Sequence, residues 1–184
     1  MSELAVAIKQ IEAADAVVDA IGDAVRREIL DFCIAHDDAL FRTCLPGHLT
    51  GSALVIDPSA RRVLLLHHAK LDRWLQPGGH ADGDGNLGRV ALREAEEETG
   101  LNGLELVEPA IDLDIHEIPE RGDEPAHLHL DVRFLVLTTT DTEVAINHEA
   151  FDARWISPDD PDGLIEGAEL HRLIQRGLQR MASL

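Results

Sequence analysis

The chain reads as a mixed α/β (α+β) domain with an N-terminal helical extension, and three observations carry that reading. Apolar residues recur at helical intervals at both ends, short apolar runs separated by turn residues fill the middle, and no regularly repeated strand and helix unit accompanies them. The 184 residues suffice for one full core and not comfortably for two. The expected division is a helical extension over residues 1–44 and a main domain over 45–184 that includes a C-terminal helix.

In the extension, Leu4, Ile8, Ile11, Ala14 and Val18 mark a first helix, and Val25, Ile29, Leu30 and Cys33 a second. The break is expected near Ile21 and Gly22, and the end before the acidic turn from His36 to Asp38. Such a pair reads as a dimerisation or lid element, so a homodimer is compatible with the sequence. After Pro46 and Gly47, "SALVID" and "RRVLLLHH", parted by Pro58 and Ser59, read as a two-stranded hairpin. Val90 to Thr99 reads as a helix stopped by Gly100. "LELVEPAIDLDIHEI" suggests one or two strands, "AHLHLDVRFLVLTT" a long one and "ARWIS" a short one. From Asp162 on, Leu164, Leu170, Leu173, Ile174, Leu178 and Met181 give an amphipathic helix.

Composition narrows the function classes. A net charge of -19 opposes stable nucleic acid binding, which relies on Lys and Arg neutralising phosphates. Cys33 and Cys44 are the only cysteines, with neither a disulfide framework nor a structural zinc pattern, so a reducing, cytoplasmic setting is expected. The first residues lack a basic leader, and no run approaches the ~18 apolar residues of a membrane span. A soluble protein without a membrane partner is expected.

The most informative stretch is "GGHADGDGNLGRVALREAEEETGL". On a helix, Glu94, Glu97 and Glu98 fall at i, i+3 and i+4, so their carboxylates share a face and repel unless something positive lies between them. Hard cations such as Mg²⁺ or Mn²⁺ prefer such oxygen donors, whereas a bare glutamate run is otherwise a solvated face, as Glu96 is expected to be. Upstream, Gly78 and Gly79 form a turn where backbone carbonyls can approach a ligand closely.

This segment resembles the signature of the Nudix hydrolases: Gly, five residues, Glu, seven residues, Arg-Glu, a small or aliphatic residue, any residue, Glu-Glu, any residue, Gly and an aliphatic. Gly79, Arg93, Glu94, Ala95, Glu97, Glu98, Gly100 and Leu101 stand at the matching positions, and Gly85 stands where the pattern has its first glutamate. Asp84 or Asp82 is a candidate to supply that carboxylate. The resemblance spans roughly Pro46 to Ser157, where "PGHLTGSALVIDP", "LLLHHAKLDRWLQPGGHADGD" and "HLHLDVRFLV" look like a bacterial subgroup of unassigned substrate.

The resemblance implies a mixed sheet sandwiched between helices and a pyrophosphohydrolase acting on phosphoanhydride bonds. It implies that Glu94, Glu97 and Glu98, with the Gly78 carbonyl, bind Mg²⁺ or Mn²⁺, that Arg93 orients a carboxylate, and that Glu149 is a candidate general base. The expected substrate is a small phosphorylated molecule, a nucleoside diphosphate derivative or nucleoside triphosphate. The alternative is a catalytically weak ligand-binding or regulatory domain, favoured by Gly85. An isomerase of the isopentenyl diphosphate type, similar in fold, is disfavoured because neither cysteine lies near the signature.

Outside the signature, strand alternation puts His127, His129 and Asp131 on one face, as substrate contacts or an additional metal site. His67, His68 and His80 read as hydrogen-bonding groups. With no Tyr and few other rings, Trp74 is the best-placed candidate for stacking a base, followed by Phe41 and Phe151.

Overall fold

The computed structural model describes residues 1–15, 20–69, 71–122, 124–139, 142–160 and 162–184. Helix α1 (Glu3–Ala13) begins at Ser2, whose hydroxyl accepts the Ala5 N–H. Helix α2 (Ala20–Ala35) runs through Ile21 and Gly22, so the expected break there is corrected: it falls between Ala13 and Ala20. One glycine inside a helix costs only roughly 1 kcal/mol relative to alanine, and burial of Ile29 and Cys33 on the same helix outweighs it. Val18 lies outside the described residues.

Seven strands follow, with α3 (Leu87–Thr99) between the fourth and fifth and α4 (Ala168–Met181) at the end. They are β1 (Gly47–Asp57), β2 (Arg62–His68), β3 (Arg73–Leu75), β4 (Gly78–His80), β5 (Glu105–Ile118), β6 (His127–Leu137) and β7 (Ala150–Ile156). One mixed sheet holds them in the order β3-β2-β1-β6-β5, with β4 paired to β1 and β7 to β2. Only the β1 and β6 pairing is parallel among these. The hairpin read from "SALVID" and "RRVLLLHH" is present, with Ile56 opposite Val63. Strand β5 is continuous but its pairing with β6 is interrupted between Val107 and Asp112, where Pro109 has no N–H to give. The C-terminal helix begins at Ala168, after Leu164.

Strand β1 is buried along its whole length, because layers cover both of its faces. Leu49, Ala53 and Val55 join an apolar cluster with α1, α2 and α3, while Leu54 and Ile56 join a second cluster with α4. Ala7, Ile11, Ile29 and Cys33 belong to the same cluster as Leu49, Leu87 and Phe134. Residues 1–44 and 45–184 therefore share one core. No helix among the described residues is long and apolar enough to cross a membrane.

On the α4 face, alternation along β1 gives His48, Thr50 and Ser52 before the apolar Leu54 and Ile56. Behind them lies a buried ion network. Arg133 pairs with Asp131, Asp114 and Asp112, Arg172 with Asp112 and Asp114, and Arg176 with Asp112. These pairs tie α4 to β5 and β6. The period-two spacing of Asp112 and Asp114 was the sequence signal for it.

Candidate active site

Helix α3 starts at Asn86, whose side chain accepts the Arg89 N–H, and stops at Gly100 in a left-handed conformation. Its start lies three residues before the expected Val90, because Leu87 is already buried in the core. One face packs on β1; the carboxylates rise from its second half beside β4. The Gly78 N–H donates to Glu98 Oε2 at 3.0 Å. A Cβ on Gly79 would fall 2.4 Å from the Glu94 carboxyl carbon, so only a bare backbone lets that carboxylate in. Arg93 donates to Glu94 Oε1 at 2.9 Å and approaches Glu97 at 4.0 Å.

The three helix glutamates are not equivalent. Glu98 is 4% exposed, whereas the Glu97 side chain is 62% exposed. Burial, and behind it the Glu94 and Glu149 carboxylates, push Glu98 up to about 8 against the pull of the Gly78 N–H. Glu94 is raised too, by burial first, against the opposing Arg93.

Glu149 reaches this cluster from the segment just before β7 and shares a hydrogen bond with Glu98. Its segment is held by two bonds to its surroundings and one within itself. Asn147 donates its amide to the Glu97 carbonyl at 3.3 Å and accepts the Glu149 N–H at 2.8 Å, while the Glu149 carbonyl accepts the Ala69 N–H at 2.9 Å. Gly78 and Gly79 lie in strand β4, so the turn expected there is corrected to extended backbone, and Glu94, Glu98 and Glu149 converge around it with Arg93 as the nearby cation. This set of hard oxygen donors, with two carboxylates raised by burial and mutual repulsion, fits a Mg²⁺ or Mn²⁺ ion.

Position 85 has its own explanation. Asp82 is taken up by Arg42 and Asp84 by Arg89, with Asp84 also capping the Asn86 N–H. The carboxylate that meets Gly85 comes instead from α1: Glu3 Oε2 accepts the Gly85 N–H at 2.9 Å. Gln10 accepts the Leu87 N–H at 2.7 Å and donates to Asn86 Oδ1 at 3.1 Å. A Cβ at position 85 would stand 1.9 Å from the Glu3 carbonyl oxygen, so the docked helix excludes any side chain there. Glu3 and Gln10 escape sequence reasoning because the contacts span 82 and 77 residues.

The other predicted residues lie elsewhere. Trp74 is half-buried on the edge strand β3, with His67 stacked at 5.1 Å and the Arg154 guanidinium 5.2 Å from its ring. His67 also pairs with Asp72, and Phe41 and Phe151 are exposed. Asp131 is 2% exposed; it accepts from Thr50 and Ser52 and pairs with Arg133, so its expected role as a substrate contact is corrected to an interior one. His127, His129 and His80 gather with His48, which sequence reasoning passed over although it stands in "PGHLTGS".

A family model described as NUDIX domain matches residues 47–175. No curated protein matches the chain. Among solved structures, a C. elegans Ap4A hydrolase binary complex is similar at a TM-score of 0.60 with 19% identity, covering 74% of this chain and 98% of that one. The E. coli dihydroneopterin triphosphate pyrophosphohydrolase gives 0.58 with 15% identity, covering 72% and 95%. The NUDIX domain of Shewanella oneidensis NrtR, complexed with ADP ribose, gives 0.51 with 21% identity, covering 72% and 87%.

Proposed function

Since the chain belongs to the NUDIX family, we propose that it is a pyrophosphohydrolase that cleaves a diphosphate linkage in a small nucleoside diphosphate derivative or nucleoside triphosphate, using Mg²⁺ or Mn²⁺. The observation that carries this reading is the convergence of Glu94, Glu98 and Glu149 at Gly78 and Gly79 of β4. Glu94 and Glu98, with the more exposed Glu97 and the Gly78 carbonyl, would hold the cation. Bound there, such a cation offsets phosphate charge and makes water more acidic.

The chain's own groups supply the rest. Arg93 fixes the direction of the Glu94 carboxylate through a charge-assisted hydrogen bond. Glu149 takes the proton from the attacking water, since its carboxylate sits beside Glu98 and its backbone is pinned to α3 through Asn147. Trp74 is the ring for a base, which would compete with Arg154 for its face. The names of the C. elegans and E. coli proteins guide the substrate panel: dinucleoside polyphosphates and nucleoside-like triphosphates belong in it beside ADP-ribose. The docking of α1 gives Gly85 a packing reason and so weakens the case for a purely regulatory domain.

The test is incubation with nucleoside triphosphates, sugar nucleotides, dinucleotides and coenzyme A, with Mg²⁺, Mn²⁺ or chelator, and chromatography of the products. Cleavage between phosphates that needs metal and drops at least about 10²-fold in Glu98→Gln or Glu149→Gln is expected. Silence across the panel, with a ligand still raising the melting temperature, would replace the hydrolase reading by the binding one.

A further inference from the structure

Strand β4 separates two chemistries. Gly79 meets the Glu94 carboxylate on the α3 side, while His80, paired opposite the Thr50 and Asp131 region, turns to the other face of the sheet. There the strand register collects imidazoles: His48 on β1 lies opposite His129 on β6, which lies opposite His116 on β5. The His48 ring centroid is 4.9 Å from His80, 4.9 Å from His127 and 5.0 Å from His129. His80 and His129 are 4.9 Å apart.

Two features distinguish this cluster from histidines that merely pack. His48 is 3% exposed and sits among the other rings, and neither of its ring nitrogens makes a hydrogen bond of good geometry, the Cys44 carbonyl being only a weak backbone partner. A neutral imidazole carries one donor and one acceptor, and burying both idle is unfavourable unless a ligand takes the lone pair. Secondly, His48, His80 and His129 each offer a ring nitrogen within 4.8 Å of the others, a spacing that one ion can bridge.

We propose that His48, His80 and His129 form a binding site for a divalent late first-row transition metal of the Zn²⁺ class, distinct from the carboxylate site on α3. Imidazole nitrogen suits such ions and not Mg²⁺. Three nitrogen ligands leave a fourth position, and His127 adjoins the group: its Nδ1 lies 2.9 Å from the Pro125 carbonyl and so is the donor, which makes its Nε2, 3.3 Å from that of His129, the acceptor nitrogen of the ring. His116 faces His129 with its Nδ1 3.1 Å from Asp114. A cavity of about 370 Å³ lined by Arg42, Cys44, His48, Glu124 and His127 reaches the cluster at His48 and His127. Because His80 directly follows Gly79, an ion held there pins β4, and with it the Gly78 and Gly79 backbone that meets Glu98 and Glu94.

The full-length protein is dialysed against Zn²⁺ and its metal content measured, with affinity from competition against a chromophoric chelator. Wild type and a Glu94→Gln, Glu98→Gln variant are expected to retain one equivalent, whereas His80→Ala and His129→Gln, each checked for folding by circular dichroism, bind at least about 10²-fold more weakly. Wild-type affinity in the folded imidazole variants, or loss of the equivalent in the carboxylate variant alone, would overturn the proposal. Imidazole ¹⁵N spectra of the wild-type protein titrated with Zn²⁺ decide the matter without substitution: ring-nitrogen shifts at His48, His80 and His129 support the site, and unshifted nitrogens overturn it. None of these readouts depends on hydrolysis.

Discussion

Glu98 couples the site's chemistry to its stability. Its ordinary value is 4.5 and burial lifts it to about 8, so between those limits the folded protein keeps a proton that the unfolded chain has lost. The stabilisation from that proton is fully present below 4.5 and is lost as pH rises through 8. A bound divalent cation reverses the trend, because it takes the place of the proton and is favoured once the proton leaves. Mg²⁺ should therefore raise the melting temperature more at about pH 9 than at about pH 6, and Glu98→Gln should abolish the difference. Equal shifts at both pH values in the wild type would mean that Glu98 is not the group being discharged.

Helix α1 acts on the signature loop as an element. Glu3 and Gln10 satisfy the Gly85 and Leu87 N–H groups at the start of α3, where a helix leaves donors without internal partners. Placing the family's glutamate back at position 85 would drive its Cβ against the Glu3 backbone and lift the first turn of α1 away. Gly85→Glu is thus expected to lose about 1–3 kcal/mol in denaturant unfolding and to lower turnover, not to restore it; a gain in turnover would refute the docking argument. What the sequence disclosed follows the range of the interaction. The signature helix, its Gly100 stop and the spacing of Glu94, Glu97 and Glu98 are local and could be read directly. The length of α2 through Gly22, the contact of Glu3 with Gly85, the exposure of Glu97 and the orphaned ring of His48 depend on partners distant in sequence. Nothing near those residues signals them.

Across the whole molecule, the two sheet faces carry different burdens. The α1, α2 and α3 face is apolar and positions the carboxylates, whereas the α4 face grades from Leu54 and Ile56 into buried ions and then imidazoles. Asp112, fully buried, is the centre of the ionic part because Arg133, Arg172 and Arg176 all address it. Removing its charge takes away a carboxylate that three guanidinium groups share, and breaking such a buried pair typically costs about 3–5 kcal/mol. Asp112→Asn should lie at the lower end, since the amide still accepts hydrogen bonds, and Asp112→Ala at the upper end. Because the network anchors α4 and touches neither Glu94 nor Glu98, both variants should lose stability while a folded fraction keeps its metal dependence. Urea unfolding alongside Mg²⁺ titration at low temperature separates the two effects. A variant that stays stable yet loses its Mg²⁺ response would show instead that the ion network shapes the carboxylate site across the sheet, with β4, whose Gly79 meets Glu94 and whose His80 faces the other side, as the element that transmits it.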